Sequence, residues 1–348
     1  MYSLIDMNQL LSKKIIAWYQ KHQRTLPWRF HKNSKDRDYK VLLSEIMLQQ
    51  TKVSTVIPYF NNFYKKFPSL ESLSKSPITS VLKLWEGLGY YRRARNLHEI
   101  SKIVVKEHKG ILPDSFLKLK SLPGIGNYTA SAILSIAKNK PYIGIDGNVR
   151  RVVSRIFNFK EDKKIISNIE NKLSTMKVVH KSGDLMQGIM EIGALVCLSK
   201  EPKCNICPLK KNCISFQNNT FNKKTKKKKV QIRYFYAFYI KKKNKILFSY
   251  NKKFNFLNNL INFPLIETKN INRQIAADKL FIQSKVDKKF LLKFIYKMSN
   301  FIMHIKITKL THVIFDNNLY FWIDINKINK FTISVLTQKL LDLAQNEK

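Results

Sequence analysis

The hydrophobic pattern divides the chain into a helical first part and a second part of strand character. From about residue 8 to residue 215, apolar residues recur every three or four positions, the period of helices that pack on a core. The first such segment predicts an amphipathic helix with Leu11, Ile15, Trp18 and Tyr19 on one side. Further helices are predicted over 39–49, 77–86, 91–108, 128–138, 147–157 and 182–197.

The pattern changes after a polar, basic stretch at 217–229, NNTFNKKTKKKKV, which predicts an interdomain linker. This linker is either a solvated tether or a segment that tracks DNA. Beyond it, QIRYFYAFYI and KILFSYN around a KKKN turn predict a hairpin, and THVIFDNNLYFWIDI predicts another. FTISVLTQKLLDLAQ predicts a closing amphipathic helix. We therefore expect a helical domain over 1–216 and an α+β domain over 230–348.

Composition narrows the class of protein. Hydrophobic residues make up 44% of the 348 positions, which excludes a disordered chain. No apolar run approaches the ~20 residues that span a bilayer, and the N-terminus lacks a signal-peptide pattern. The sequence thus predicts a soluble, cytoplasmic protein with no membrane association.

The formal net charge of +41 favours a polyanionic partner such as DNA or RNA. The alternative, that AT-rich codon usage supplies most of the lysines, stays open, because only 11 of the 64 basic residues are Arg. The arginines are more informative, since their planar guanidinium suits phosphate. Six of them lie beside the motifs described below: Arg92, Arg93, Arg95, Arg150, Arg151 and Arg155.

All four cysteines lie within 17 residues, in the spacing C-x6-C-x2-C-x5-C: Cys197, Cys204, Cys207 and Cys213. Four thiolates can bind zinc or an iron–sulfur cluster. Zinc sites usually take two close pairs of ligands, whereas here only the middle pair is close. The spacing is similar to that of the endonuclease III-like DNA glycosylases, in which it holds a [4Fe–4S] cluster. Four lysines between the ligands predict that loop 197–213 faces phosphate.

Residues 122–133, LPGIGNYTASAI, predict a tight turn at the start of a helix. Gly124 and Gly126 let the chain turn and leave backbone N–H groups free to bind an anion. An ordinary helix–helix turn is the alternative reading. The segment matches the helix-hairpin-helix motif, here at about 115–135, and predicts a DNA phosphate site.

Two carboxylates are candidates for acid–base chemistry. Glu45 lies in VLLSEIMLQQT on the same helical stripe as Val41 and Leu48, where burial would raise its pKa and suit a general acid. Asp146 opens a helix in IDGNVRRVVSRI. Read without context, Glu45 is an exposed helix residue and Asp146 a helix N-cap.

The motifs SEIMLQQT, GLGYYRRARNL, LPGIGNYTA and DGNVRR, together with the cysteine set, closely resemble those of MutY-type adenine DNA glycosylases. The resemblance is strong to about residue 215 and weaker beyond. It implies a monomeric, nucleoid-associated enzyme of base excision repair that flips adenine out of duplex DNA, opposite 8-oxoguanine or guanine, and hydrolyses its glycosidic bond.

The same resemblance assigns a role to each matching residue. Glu45 protonates adenine and then activates water, while Asp146 stabilises the oxocarbenium ion with support from Tyr128 and Asn148. Arg24, Trp28, Leu48 and Gln187 line the adenine pocket. Gln50 and Tyr90 wedge into the duplex near the oxidised guanine.

The C-terminal domain resembles the Nudix-like domain of these enzymes, without the acidic metal-binding box of Nudix hydrolases. We therefore expect it to recognise DNA. Ser299 matches the serine of a Phe-Ser-His loop that recognises 8-oxoguanine, although its neighbours here are Met298 and Asn300.

Three other functions stay open at this point. An endonuclease III-like pyrimidine glycosylase with lyase activity would carry a nucleophilic lysine where this chain has Tyr128. A non-catalytic iron–sulfur DNA-binding protein would have lost the carboxylates. A zinc-binding nucleic-acid module would be colourless.

Overall fold

The computed structural model describes residues 4–160, 162–176, 178, 180–220, 230–250, 254, 260–268, 272–298, 301–315 and 319–346. The chain divides into two compact units. One comprises Met1–Val81 with Arg92–Thr225, and the other comprises Leu82–Tyr91 with Lys226–Lys348. The segment Leu82–Tyr91 therefore groups with the C-terminal residues, although it lies inside the range expected for the helical domain.

Helices α1 to α12 form the first unit, apart from the end of α5. They are α1 Leu4–His22, α2 Ser34–Leu48, α3 Val53–Lys66, α4 Leu70–Ser74, α5 Ile78–Leu84, α6 Arg92–His108, α7 Phe116–Lys120, α8 Asn127–Ala132, α9 Gly147–Ile156, α10 Ile165–Met176, α11 Ser182–Leu195 and α12 Ile214–Gln217. A π-helical turn, Ile133–Ala137, continues α8. Each helix predicted from periodicity is confirmed, with ends displaced by a few residues.

A core around α11 packs α1, α9 and α10 together, and so holds α11 with Gln187 and the start of α9 with Asp146. Leu11 and Ile15 of α1 pack in one cluster with Val153 of α9, Ile169 of α10 and Ile189 of α11, all fully buried. The apolar side predicted for the first helix is the side that packs there. No helix among the described residues is both long and apolar enough to cross a membrane.

The second unit is α+β. Its strands are β1 Gln231–Tyr239, β2 Lys241–Lys242, β3 Lys245–Tyr250, β4 Ile261–Asn262, β5 Leu265–Glu267, β6 Gln283–Lys297, β7 Phe301–Ile314 and β8 Tyr320–Asp324, with helices α13 Arg273–Asp278 and α14 Val335–Asn346. One sheet has the order β5-β1-β7-β6, in which β1 and β7 run parallel. The other joins β2, β3 and β4, and β8 pairs with β3.

The first predicted hairpin is confirmed only in a short form, and the second is wrong in its pairing. The chain turns at 243–244, where the two-residue β2 pairs antiparallel with β3 in the second sheet, whereas β1 lies between β5 and β7 in the first sheet. Likewise β7 pairs with β6 and β1, while β8 pairs with β3. Sequence adjacency suggested these pairs, but the apolar faces of the strands are buried in two different sheets. The closing helix is confirmed as α14.

A buried hydroxyl group ties α14 to the second sheet. Thr337 is 1% exposed, and its hydroxyl donates to Asn262 Oδ1 at 2.7 Å and lies 3.1 Å from the Ile261 carbonyl. We expect Thr337→Val, which preserves the shape, to lower the free energy of unfolding by about 1–3 kcal/mol, because buried acceptors lose their donor. The matched control is Thr311→Val, at an exposed position of β7, which should change the free energy of unfolding by less than about 0.5 kcal/mol. Urea denaturation measures both, and equal losses would contradict the assignment.

Candidate active site

A cavity of about 690 Å³ in the first unit brings the predicted residues together. It lies among the end of α1, the 3-10 turn Pro27–Arg29, α2, α8, α11 and the start of α9. Nine of the residues predicted from the sequence line it: Arg24, Trp28, Glu45, Leu48, Gln50, Tyr128, Asp146, Asn148 and Gln187. The cavity falls within the range typical of small-molecule sites, ~300–1,000 Å³.

Glu45 lies on the most deeply buried part of α2, where every residue from Asp38 to Met47 is buried. Its own exposure is 6%. Burial raises the pKa of the carboxyl to about 7, a hydrogen bond from Tyr128 opposes this, and the negative charge of Asp146 adds to it. Glu45 can therefore be a proton donor near neutral pH, which an exposed helix residue could not be.

Tyr128 lies next to this carboxyl, in the second position of α8. Its hydroxyl hydrogen-bonds to Glu45 and is 3.7 Å from Met190 Sδ. Burial and the two neighbouring carboxylates raise the pKa of Tyr128 well above its usual value. The hydroxyl thus stays protonated and can act as a hydrogen-bond donor, but not as a base.

Asp146 is the N-cap of α9, as one reading of the sequence predicts, and it also lines the cavity. One carboxylate oxygen accepts from the backbone N–H of Val149 at 2.7 Å, and the other accepts from Asn148 Nδ2 at 3.0 Å. Arg151 donates to Asn148 Oδ1 at 2.7 Å, which fixes the orientation of that amide. The two hydrogen bonds fix the orientation of the carboxylate.

A second buried carboxylate in the cavity was missed by the sequence reasoning. Glu191 on α11 is 1% exposed. Arg24 Nε donates to it at 2.8 Å and Arg29 Nη2 at 2.7 Å, while Arg29 Nε also donates to Gln187 Oε1 at 3.0 Å. The signal was available, because an acid inside the apolar run GIMEIGAL resembles the pattern that identified Glu45.

Of the nine residues that line the cavity, Gln50 is the exposed one, and two further predicted residues, Tyr90 and Ser299, are not among the nine. Gln50, at the end of α2, has a left-handed φ of 58° and is exposed. Tyr90, also left-handed with φ 50°, belongs to the second unit. Ser299 and its neighbour Asn300 lie outside the described residues.

The predicted hairpin joins α7 to α8. Gly124 has φ +75°, and a Cβ there would stand 2.2 Å from Asn96 Nδ2, so both the turn and the space require glycine. Gly126 has an extended backbone and is the N-cap of α8. A tight helix–turn–helix is therefore confirmed at this position.

The four cysteines line one small cavity together with Arg155, Lys203, Lys210 and Phe216. Arg155 Nη1 is 3.4 Å from Cys197 Sγ, and the same guanidinium holds the Leu198 carbonyl at 2.6 Å. Burial raises the pKa of Cys207 to about 11, and the charges of Cys197, Cys213 and Cys204 add to this. Among the described residues no set of three acidic, His or Cys side chains converges tightly enough for a single metal ion. The thiols surround a space and do not meet at a point.

Comparisons with known proteins identify relatives over nearly the whole chain. Residues 43–175 match the family described as HhH-GPD superfamily base excision DNA repair protein. An adenine DNA glycosylase of Buchnera aphidicola subsp. Acyrthosiphon pisum is 35% identical over 345 residues, covering 96% of this chain and 97% of the relative. The human adenine DNA glycosylase is 38% identical over 209 residues, which is 57% of this chain and 38% of the relative.

Solved structures are similar in fold to part of the chain. A thermostable thymine-DNA glycosylase gives a TM-score of 0.54 at 24% identity, covering 61% of this chain and 97% of its own. An endonuclease III trapped covalently on DNA gives 0.52 at 20% identity, covering 63% of this chain and 99% of its own. These likenesses establish the helical fold.

The opposed effects on Glu45 give a prediction about its titration. The carboxyl of Glu45 should titrate near pH 7. The measurement follows its infrared band, which is identified as the band that Glu45→Gln removes from the difference spectrum. Asp146→Asn should lower this pKa by removing a neighbouring negative charge, whereas Tyr128→Phe should raise it by removing a hydrogen bond to the carboxylate. Shifts of the same sign in both variants would contradict the arrangement.

Proposed function

The chain belongs to the adenine DNA glycosylases, enzymes of the HhH-GPD superfamily of base excision repair, and on this premise we propose that it excises adenine by acid-assisted hydrolysis in the cavity of Glu45 and Asp146. The observation that carries the proposal is the pairing of a buried acid of raised pKa with a hydrogen-bonded carboxylate in one cavity. Cleavage of an N-glycosidic bond needs a proton for the leaving base and a negative charge for the oxocarbenium-like sugar.

Glu45 supplies the proton. Because its pKa lies near 7, a substantial fraction is protonated at neutral pH, and loss of that proton to adenine leaves a carboxylate that can activate water. Tyr128 donates to the carboxylate and stabilises it after transfer. The rate of excision should therefore fall as pH rises through about 7, since the proton donor is then lost.

Asp146 faces the sugar cation as a fixed negative charge. The Val149 N–H and the Asn148 amide hold its two oxygens in place. Since both groups donate, the carboxylate needs no reorganisation when positive charge develops on the sugar. Asn148 thus acts through the orientation of Asp146.

The adenine pocket is formed by Arg24, Trp28, Leu48 and Gln187. Trp28 is buried and offers an apolar surface to a flipped base. Gln187 and Arg24 supply polar groups, and both are held in place, since Arg24 donates to Glu191 and Gln187 accepts from Arg29. Extruding a base costs a few kcal/mol of stacking, and least at a mispair.

The enzyme is monofunctional. Strand cleavage needs an amine that forms an imine with the sugar, and Tyr128 holds the position where lyases of this superfamily carry Lys. Among the described residues that line the cavity none is Lys, in a chain with 64 basic residues. Arg150, which follows the DGNV motif, is also a poor nucleophile. This supports hydrolysis over the lyase alternative.

The cysteine loop holds a [4Fe–4S] cluster bound by Cys197, Cys204, Cys207 and Cys213. The four thiols line one cavity, and burial together with the charges of neighbouring thiols raises the pKa of Cys204, Cys207 and Cys213, so a cationic group among them would relieve the repulsion. Zinc sites usually take two close pairs of ligands, whereas here only Cys204 and Cys207 are close in sequence, so the spacing favours the cluster. When bound, the cluster supplies a rigid, DNA-facing loop.

The partner is duplex DNA with adenine opposite 8-oxoguanine or guanine, bound by a monomer. Gly124 and Gly126 of the hairpin bind a phosphate, Gln50 and Tyr90 wedge into the duplex, and Ser299 of a Nudix-like C-terminal domain recognises the oxidised base. A polar contact to a base edge contributes about 1–3 kcal/mol of discrimination, so Ser299→Ala should reduce the preference for 8-oxoguanine over guanine.

The central test uses duplexes with adenine opposite 8-oxoguanine, guanine or thymine, under single-turnover conditions. We expect strand breaks at the first two only, and only after alkaline treatment. Glu45→Gln should lose about 10²–10⁴-fold in rate while still binding the duplex, because it removes the proton donor and keeps the shape. Glu99→Gln, at an exposed position of α6, is the matched control. Excision by Glu45→Gln within a few-fold of wild type would overturn the acid assignment, and breaks without alkali would favour a lyase.

Metal analysis tests the cluster. Anaerobically purified protein should be brown and contain about four irons and four sulfides per chain. Cys204→Ala should lose iron and DNA affinity together, whereas Ser199→Ala should lose neither. Stoichiometric zinc without iron would contradict the proposal.

A further inference from the structure

In the segment Leu82–Tyr91, one aromatic side chain is exposed while the other two aromatic side chains are buried. Trp85 is fully buried, and Leu88 and Tyr91 are nearly so, while Tyr90 is 41% exposed. The backbone is left-handed at Gly87, at Gly89 and at Tyr90 itself, with φ values of 93°, 78° and 50°. A non-glycine residue in this conformation is held by its surroundings, because the conformation is unfavourable by itself.

Those surroundings come from the second unit, through one peptide group of its C-terminal part. The backbone N–H of Ile333 donates to Glu86 Oε1 at 3.1 Å. The hydroxyl of Tyr91 donates to the Ile333 carbonyl at 3.2 Å and accepts from the Gly87 N–H at 3.3 Å. Glu86 and Tyr91 therefore bind both polar groups of Ile333 from the two ends of the turn that carries Tyr90. We call this set of contacts the Ile333 clamp.

Ile333 is itself fixed. It is 6% exposed and forms a parallel bridge with Ile261, the first residue of β4. The following residue, Ser334, accepts from the Thr337 N–H at 3.0 Å at the start of α14. A second bond within the turn, from Trp85 Nε1 to the Gly89 carbonyl at 3.1 Å, limits its remaining freedom. The turn is thus tied to an ordered edge of the second sheet.

We propose that Glu86 and Tyr91 are positioning residues that hold Tyr90 in its DNA-inserting conformation, so that the C-terminal unit sets the wedge as well as the contact of Ser299. This rests on the proposed function, in which Tyr90 enters the duplex beside the oxidised guanine. The catalytic carboxylates belong to the other unit. Loss of the clamp therefore lowers recognition of the opposite base and leaves proton transfer to adenine intact.

The experiment compares Tyr91→Phe and Glu86→Ala with Glu86→Gln, which keeps an acceptor oxygen. Lys83→Met is the matched control, because Lys83 contacts the other carboxylate oxygen of Glu86 at 2.6 Å. The first readout is hydrogen exchange of the Gly87–Tyr91 amides in the free protein. We expect faster exchange in Tyr91→Phe and Glu86→Ala, by about two- to ten-fold for one lost hydrogen bond, and no change in Glu86→Gln or Lys83→Met.

The second readout is the single-turnover rate for adenine opposite 8-oxoguanine relative to guanine, with 2-aminopurine beside the lesion to report unstacking by Tyr90. Tyr91→Phe and Glu86→Ala should lower the rate ratio by about two- to ten-fold and lose part of the fluorescence gain, with the rate opposite guanine unchanged. A merely structural role would lower both rates together with the melting temperature.

Tyr90→Ala distinguishes a failure of the Ile333 clamp from a failure of the assignment of Tyr90 as a wedge. If it loses the fluorescence gain while the Tyr91 and Glu86 variants match wild type in exchange and in rate ratio, the clamp is overturned. If Tyr90→Ala itself behaves as wild type, the wedge assignment fails, and with it the functional part of this proposal. Unaltered amide exchange in both Tyr91→Phe and Glu86→Ala overturns the clamp whatever the result for Tyr90.

Discussion

The site depends on the removal of one carboxylic acid from water. Glu45 lies in a continuous buried stretch of α2, and the pKa of about 7 follows mainly from that burial. An ionised carboxylate is strongly disfavoured in such surroundings unless it is paired with a cation. The groups that act on Glu45 are the Tyr128 hydroxyl and the negative charge of Asp146, and neither is a cation. The surroundings therefore favour the neutral acid. The packing of α2, α8 and α9 thus serves the chemistry directly.

Glu191 shows the opposite treatment of the same residue type in the same cavity. Two arginines donate to its carboxylate at 3.1 Å or less, and Gln187 is held by one of them. The cavity thus places one buried carboxylate among cations and the other beside a hydroxyl group and a second carboxylate. Two buried acids in such different surroundings suit different roles, and the raised pKa of Glu45 is the property that suits a general acid.

The sequence predicted the helices well because their apolar faces are local, with a period that reads directly from residues such as Leu11 and Ile15. It also predicted nine residues that meet in the cavity, since the motifs carry them. The expected pairs β1 with β3 and β7 with β8 failed because the two members of each pair belong to different sheets, which local alternation does not show. The apolar run around Glu191 carried the same signal as the run around Glu45, but its partners Arg24 and Arg29 are 167 and 162 positions away, which no local pattern shows. The contact between Tyr91 and Ile333 spans 242 residues and leaves no local pattern.

The cysteine loop and the Asp146 carboxylate are linked through Arg151. Arg151 donates to the Cys197 carbonyl at 2.8 Å and to Asn148 Oδ1 at 2.7 Å, and Asn148 in turn donates to Asp146 at 3.0 Å. With Oδ1 occupied by the guanidinium, the Asn148 amide can only turn its N–H toward Asp146. A displacement of the loop at Cys197 would thus misplace the donor that orients Asp146. The position of the cysteine loop and the orientation of the Asp146 carboxylate are therefore coupled through geometry, because each step between them is a directional hydrogen bond.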